Sequence, residues 1–117
     1  MEESILVSIK DMLGPDSSSD VFDNEILIHI NMALSVLTQL GIGPSGGFIV
    51  SDEDATWNQF LGNQKDIDMA KSFVYMKVKM VFDPPSSSFV LTAMEKACDE
   101  LAWRLSVATD PYIETSN

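Results

Sequence analysis

The sequence predicts an all-α fold, a single small bundle of about four to five helices. Apolar residues recur at helical spacing in each long segment, and Gly, Pro and Ser separate these segments. A chain of 117 residues is long enough for one domain. We expect residues 1–108 to form that domain, with a long C-terminal αα-hairpin of residues 66–82 and 88–108, and residues 109–117 to form a flexible tail.

The first helix covers residues 3–13 and ends at Gly14-Pro15. Residues 14–20 are polar and turn-forming, which indicates a flexible surface loop. Either Asp20 or Asp23 can cap the second helix, since both carry a side-chain oxygen close to its first turn.

The second helix, about residues 22–40, lies in the least ordinary part of the chain, because no Asp, Glu, Lys or Arg occurs from Ile26 to Ser51. A polar stripe without charge is typical of a face that another protein covers. It is equally typical of a central helix that its own chain surrounds. The apolar face comprises Ile26, Leu27, Ile30, Ala33, Leu34, Leu37 and Leu40, and the opposite stripe, a candidate interface, comprises Asn24, Asn31, Ser35 and Thr38.

An irregular Gly-rich loop at residues 41–47 follows. No Lys-Ser/Thr follows it and no strand precedes it, so it does not match a phosphate-binding loop. Residues 48–50 suggest a short extended piece, and residues 52–54 an acidic turn without the ligand spacing of a calcium loop. Residues 56–62 predict one or two helical turns that bury Trp57, Phe60 and Leu61.

The fourth helix, residues 66–82, has an apolar stripe that ends at Val81 and a polar face with Lys71, Tyr75 and Lys79, which we take as candidate interface residues. Four of the seven basic residues lie in this segment or directly before it, namely Lys65, Lys71, Lys77 and Lys79. Such a cluster can meet an acidic patch of a neighbouring subunit. Ordinary solubilising charge is the simpler interpretation of the lysines.

A fixed elbow joins the two hairpin helices. Asp83 precedes a proline and Pro84 has no N–H, so the fourth helix must stop near Phe82. Pro85 stiffens the turn, and Ser87 offers an oxygen to the first N–H groups of the next helix.

The fifth helix, residues 88–108, places Val90, Met94, Ala97, Leu101 and Leu105 in register. Trp103 falls outside this pattern, on the polar side. It lies either under a loop of its own chain or at a partner interface, where tryptophan is enriched. We include it among the candidate interface residues.

Composition excludes several functions. A formal net charge of −11 argues against binding to nucleic-acid backbones or anionic lipids, and no apolar run is long enough to span a membrane. The acidic start of the chain is unlike a signal peptide, and the single Cys98 fits a reducing compartment and a core position. His29 and Glu25 are one helical turn apart, but nothing completes a catalytic or metal site, so we expect no enzyme activity, no metal and no cofactor.

Three segments, Ile26 to Pro44, Thr56 to Gly62 and above all Lys71 to Leu105, resemble the small head-tail connector, or head completion, proteins of tailed bacteriophages and prophages. The most specific part is a helix, the sequence Phe-Asp-Pro-Pro, a serine-rich turn and a helix ending in Glu-Leu-Ala-Trp-Arg-Leu. The resemblance covers roughly residues 5–108.

The resemblance implies an all-α virion protein that forms a ring of about a dozen copies beneath the portal vertex. Its partners would be other copies of itself, the portal protein and a tail-side completion protein, and DNA would pass through the ring without sequence-specific binding. It would reside at the head-tail junction, and in the host cytoplasm during assembly. The residues themselves leave an alternative, a non-phage acidic protein-protein interaction module.

Overall fold

The computed structural model describes residues 3–14, 20–62 and 67–109 of the chain. Its elements are helices α1 (Ile5–Leu13), α2 (Asp23–Gln39), α3 (Trp57–Leu61), α4 (Ile67–Phe82) and α5 (Ser88–Thr109), with a 3-10 turn at Asp20–Phe22. The described residues contain no strand, and Ser4 and Thr56 form only an isolated β-bridge. The all-α prediction and the C-terminal hairpin are confirmed. Most of the predicted flexible loop, residues 14–20, and of the predicted tail, residues 109–117, lies outside the described residues. Of their described residues, Asp20 belongs to the 3-10 turn and Thr109 to α5.

The starts of the helices show which side chains set their boundaries. Ser4 caps α1 by accepting a hydrogen bond from the Val7 N–H at 3.2 Å. The prediction that Asp20 or Asp23 caps α2 is wrong, because Phe22 occupies the N-cap position without a side-chain hydrogen bond. Asp23 lies inside the first turn instead, and its carboxylate is 2.7 Å from Lys10 Nζ.

Helix α4 is the centre of the bundle and packs against α1, α2 and α5. Helix α1 is held to α3 by a buried hydrogen bond of 2.8 Å from Trp57 Nε1 to the Ser8 hydroxyl. As predicted, Trp57, Phe60 and Leu61 are buried. The largest fully buried side chains are Ile5, Ile9, Ile26, Ile30, Leu34, Leu37, Ile42, Val50, Trp57, Phe60, Phe73 and Leu105.

The elbow ends α4 at Phe82 as predicted. Lys79 Nζ lies 2.9 Å from Asp83 Oδ2, and the Asp83 N–H still donates to the Lys79 carbonyl at 3.0 Å. On the far side, the Val90 N–H approaches Ser87 Oγ at 3.4 Å, a long hydrogen bond, so Ser87 caps α5 only weakly. The Phe82 ring packs edge-on against Phe22, with centroids 5.6 Å apart, which ties the elbow to the start of α2.

The outer end of the hairpin is less buried than its periodicity predicts. Val81 is 60% exposed and Val90 is 44% exposed, so the apolar stripes of α4 and α5 are not buried along their whole length. Helix α5 packs mainly on α4, and no other described helix covers its remaining surface to a similar extent. Periodicity identifies an apolar face, but it does not show whether the same chain supplies a cover for the whole length of that face.

Candidate functional site

An apolar groove lies between α2 and α4 on the surface of the described chain. Ile28, Met32 and Val36 follow one another at i, i+4 and i+8 on the outer side of α2, and they are 59%, 62% and 37% exposed. Val81 of α4 faces the same depression. The α2/α4 groove has a volume of about 250 Å³ and is lined by His29, Met32, Ala33, Val36, Lys77 and Val81.

The sequence produces this groove because α2 is apolar on two sides. Ile26, Ile30 and Leu37 are buried, whereas Ile28 and Met32 are largely exposed, and Met32 lines the groove together with Lys77 and Val81 of α4. Contiguous exposed apolar surface on a small domain marks a site of interaction.

The groove is small and carries no acidic group. Small-molecule sites occupy about 300–1,000 Å³, so a groove of about 250 Å³ is better suited to one or two protein side chains. The titratable residues in its lining are His29 and Lys77. Lys77 Nζ lies 5.6 Å from the centroid of the Phe73 ring and forms no salt bridge with a described residue.

Helix α5 presents a second exposed set of large apolar side chains. Phe89 is 82% exposed and Trp103 is 66% exposed. Trp103 therefore does not lie under a loop of the described chain, which was the first of its two interpretations.

The candidate interface residues of α2 do not form one uniform surface. Asn24 and Ser35 are exposed. Asn31 is half-buried, and its amide bonds with the backbone of Val50 at 2.8 and 3.0 Å. The half-buried Thr38 donates its hydroxyl to the Leu34 carbonyl at 3.0 Å. Two of the four are thus engaged within their own chain.

The candidate residues of α4 are also engaged internally. Lys71 Nζ contacts the Glu3 carboxylate at 2.9 Å, which ties the N-terminal segment to α4. Lys79 pairs with Asp83 at the elbow, and Tyr75 is half-buried against the core.

Sequence reasoning did not identify Ile28, Met32 and Val36 as exposed residues. Their i, i+4 spacing inside the charge-free segment was the available signal. The predicted interface on α2 comprises only polar residues of that segment and omits the second apolar row beside them.

Three side chains that the sequence singles out for possible chemistry, His29, Glu25 and Cys98, lie within the described residues. His29 lines the α2/α4 groove, and Glu25 is exposed. Burial raises the pKa of the Cys98 thiol above its ordinary value of 9.0, with Lys77 lowering it and Asp99 raising it to a lesser extent. Within the described ranges, no group of three or more His, Cys, Asp or Glu residues could hold a metal ion. None of the described helices combines the length and apolar character needed to cross a membrane.

Fold and surface together define the class: a small all-α domain with an unpartnered apolar surface of the kind that marks protein interaction sites. The profile of a family described as phage connector protein matches residues 5–112, so the chain belongs to the phage connector protein family. No significant match is found among curated proteins or among solved structures.

Family membership confirms the resemblance to head-tail connectors and assigns the chain a structural connector role in a phage. It favours that role over a non-phage interaction module. The family is one of structural proteins, and it implies contacts with other phage head or tail proteins.

Proposed function

We propose that this chain assembles into a closed ring beneath the portal vertex, where it joins the phage head to the tail and leaves a channel for DNA. The family match over residues 5–112 is the observation that carries the proposal. A compact domain of this size has a radius of gyration of about 13 Å and cannot surround a duplex alone. Several copies are needed, and cyclic symmetry is the usual way to close them into one assembly.

The exposed apolar surfaces supply contacts for such a ring. Met32, Val81 and Trp103 are each at least 60% exposed, which is unusual for large apolar side chains of a monomer. Asn24 and Ser35 add uncharged polar surface on α2, as at interface cores that are depleted of charge. In this proposal, residues 1–108 form the connector domain, about a dozen copies form the ring, and the portal protein and a tail-side completion protein bind its two ends.

The acidic charge suits a channel through which DNA must slide. With 18 acidic and 7 basic residues, the subunit repels phosphate groups. DNA therefore passes without sequence-specific binding. An electrophoretic mobility assay at low salt should show no retardation of duplex DNA by the protein, and tight binding would contradict this part of the proposal.

The ring itself is tested by native mass spectrometry and negative-stain microscopy of the purified chain, alone and mixed with the portal protein encoded by the same phage. We expect closed rings in at least the mixed sample, since a connector can remain monomeric until it meets the portal. Failure to form a complex with the portal protein would overturn the proposal. Detection of the chain at the head-tail junction of purified virions by antibody labelling would test its location.

A further inference from the structure

We propose that Tyr112 and Ile113 fold back onto Trp103 of their own chain and cover its indole in the unassembled subunit. The contact itself does not depend on a ring. Its consequence, a restraint on assembly, rests on the proposed function, because Trp103 is one of the exposed side chains to which we assign contacts between subunits.

The described part of the bundle does not bury Trp103. The side chain is 66% exposed, and it belongs neither to the buried core nor to the partly buried side chains that pack against that core. Its neighbours differ, since Leu101 and Ala102 pack against the core and Leu105 is buried. The indole therefore lies on the outer face of α5, where a further segment can cover it.

The residues directly after α5 supply apolar side chains close to Trp103 along the chain. Helix α5 ends at Thr109, and Tyr112 and Ile113 are the third and fourth residues beyond it. They are the large apolar side chains of residues 110–117. The match to the phage connector protein family runs to residue 112, so the sequence pattern of the family extends past the helix as far as Tyr112.

The sequence after Thr109 also favours a change of direction. Asp110 precedes Pro111, and a proline disfavours the α conformation of the residue before it. Pro111 has no N–H with which to continue the helical hydrogen bonds. Tyr112 therefore does not continue the path of α5, and the chain can return along the outer face of the helix.

Reach selects Trp103 over the other exposed aromatic side chain of α5. Trp103 precedes Thr109 by six residues, about 9 Å along a helix, and three extended residues beyond Thr109 span about 10 Å. Phe89 is 82% exposed but precedes Thr109 by 20 residues, roughly 30 Å, which is too far for Tyr112 or Ile113.

The α2/α4 groove is a poorer target for the same segment. Val81 lines that groove directly before the elbow, so it lies at the same end of the hairpin as Phe89 and at the opposite end from Thr109.

The contact requires little ordering of the chain. Residues 103–109 are already helical, so only the few residues after Thr109 must adopt a fixed conformation, and closing so short a connection costs little entropy. A tyrosine ring against an indole gains from buried apolar area and from the geometry of aromatic pairs. A single contact of this kind is weak enough for a neighbouring subunit to displace it, so the segment acts as a reversible cover.

Tryptophan fluorescence of the full chain tests the contact. The second tryptophan, Trp57, is 1% exposed, and subtraction of the Trp103→Phe spectrum isolates the emission of Trp103. In Tyr112→Ser with Ile113→Ser, acrylamide should quench Trp103 about twofold more strongly and its emission should shift to longer wavelength, because one face of the indole is uncovered.

Two matched variants serve as controls for this measurement. Tyr112→Phe retains the aromatic ring, and Phe89→Ser removes an exposed aromatic side chain that the segment cannot reach. Both should give the wild-type quenching of Trp103. Circular dichroism checks that the helices are retained in every variant.

A dilution series separates this contact from one made between copies. The protection of Trp103 should be the same at every protein concentration at which sedimentation shows a monomer. Protection that disappears on dilution would mean that a second copy covers the indole. Equal quenching in the wild type and the double serine variant would mean that the segment does not cover it. Either result would overturn the inference.

An assembly assay tests the restraint. Native mass spectrometry, with each protein alone and mixed with the portal protein, should show that the double serine variant forms rings at a midpoint concentration lower by about threefold or more. An unchanged or higher midpoint would overturn the restraint. If neither protein formed rings even with the portal protein, while their quenching still differed, the proposed function would be wrong and the contact with Trp103 would stand.

Discussion

The side-chain amide of Asn31 pairs with the backbone of Val50 in both directions. The Val50 N–H donates to Asn31 Oδ1 at 2.8 Å, and Asn31 Nδ2 donates to the Val50 carbonyl at 3.0 Å. Asn31 lies in the middle of α2, and the Val50 side chain is buried. The amide thus supplies the hydrogen-bond donor and acceptor that a neighbouring strand would give the backbone of Val50, and it holds this part of the chain against α2.

Replacement of Asn31 by Ala should lower the free energy of unfolding by about 1–3 kcal/mol, because two backbone groups lose their partners. Ser35→Ala is the matched control, since Ser35 lies one turn further along α2 and is exposed, and it should change stability by less than about 0.5 kcal/mol. Urea denaturation followed by circular dichroism measures both. If Asn31→Ala weakened self-association without a loss of stability, Asn31 would act at an interface, as predicted from the sequence.

Gly43 allows a close contact between the Gly-rich loop and the core. Its φ is +82°, and a Cβ at this position would lie 2.5 Å from Cε1 of Phe60. The Phe60 ring is buried and packs edge-on against Phe48, so it has little room to move. Gly43→Ala should therefore lower the free energy of unfolding by at least about 2 kcal/mol, from backbone strain and overpacking together.

Gly46→Ala is the control for this prediction, because nothing lies within 4 Å of a Cβ built there and its φ is not positive. Thermal and urea unfolding should show little loss for Gly46→Ala, or a small gain. Similar losses at the two positions would mean that loop flexibility, and not contact with Phe60, determines the effect.

The sequence predicts where helices end better than it predicts which side chains are exposed. Local signals were sufficient for the ends of three helices, since Gly14 ends α1, Gly62 ends α3 and the prolines of the elbow end α4 where expected. They did not identify the residue that caps α2. The site depended on information that is not local. Only the packed structure shows that Met32 is uncovered while Ile30 is buried, and that Asn31 is engaged by Val50, a residue 19 positions away.

The hairpin illustrates the same limit. Val81 and Val90 continue the apolar pattern of their helices, yet they are 60% and 44% exposed. A periodic pattern is the same whether the cover comes from the same chain or from a partner. For a subunit of an assembly, the positions where periodicity fails to predict burial are therefore candidates for contact with a partner.

Cys98 should make stability depend on pH in the alkaline range. Burial holds its pKa above the ordinary value of 9.0. The folded thiol keeps its proton to a higher pH than the unfolded thiol, so the contribution to stability is fully present below the ordinary pKa and is lost as pH rises through the raised value. The free energy of unfolding should therefore fall more steeply with pH for the wild type than for Cys98→Ala.

Urea unfolding of both proteins at about pH 8 and about pH 10 measures this difference. The two proteins carry the same lysines and tyrosines, so the change in the difference isolates the thiol. The native protein should also react slowly with a thiol reagent at neutral pH and rapidly once it is unfolded. Parallel pH profiles for the two proteins would contradict the prediction.

The elbow between α4 and α5 should matter more for assembly than for the stability of the subunit. Pro84 and Pro85 fix the backbone between the Lys79–Asp83 pair and the start of α5, and they set the direction in which α5 presents Trp103. In Pro84→Ala with Pro85→Ala, the unfolded chain gains entropy, so the free energy of unfolding should fall by only about 0.4–1 kcal/mol per site. In the ring that we propose, the elbow of every subunit must adopt one backbone conformation, so the added conformational entropy of the variant opposes assembly at each contact. The midpoint concentration for ring assembly, alone or with the portal protein, should therefore shift by more than the loss in the unfolding free energy of the monomer explains.

Ser86→Ala, in the same exposed turn, is the control and should change neither the unfolding free energy nor the midpoint of assembly. Equal free-energy losses in urea unfolding and in assembly by native mass spectrometry would show that the elbow serves only the fold.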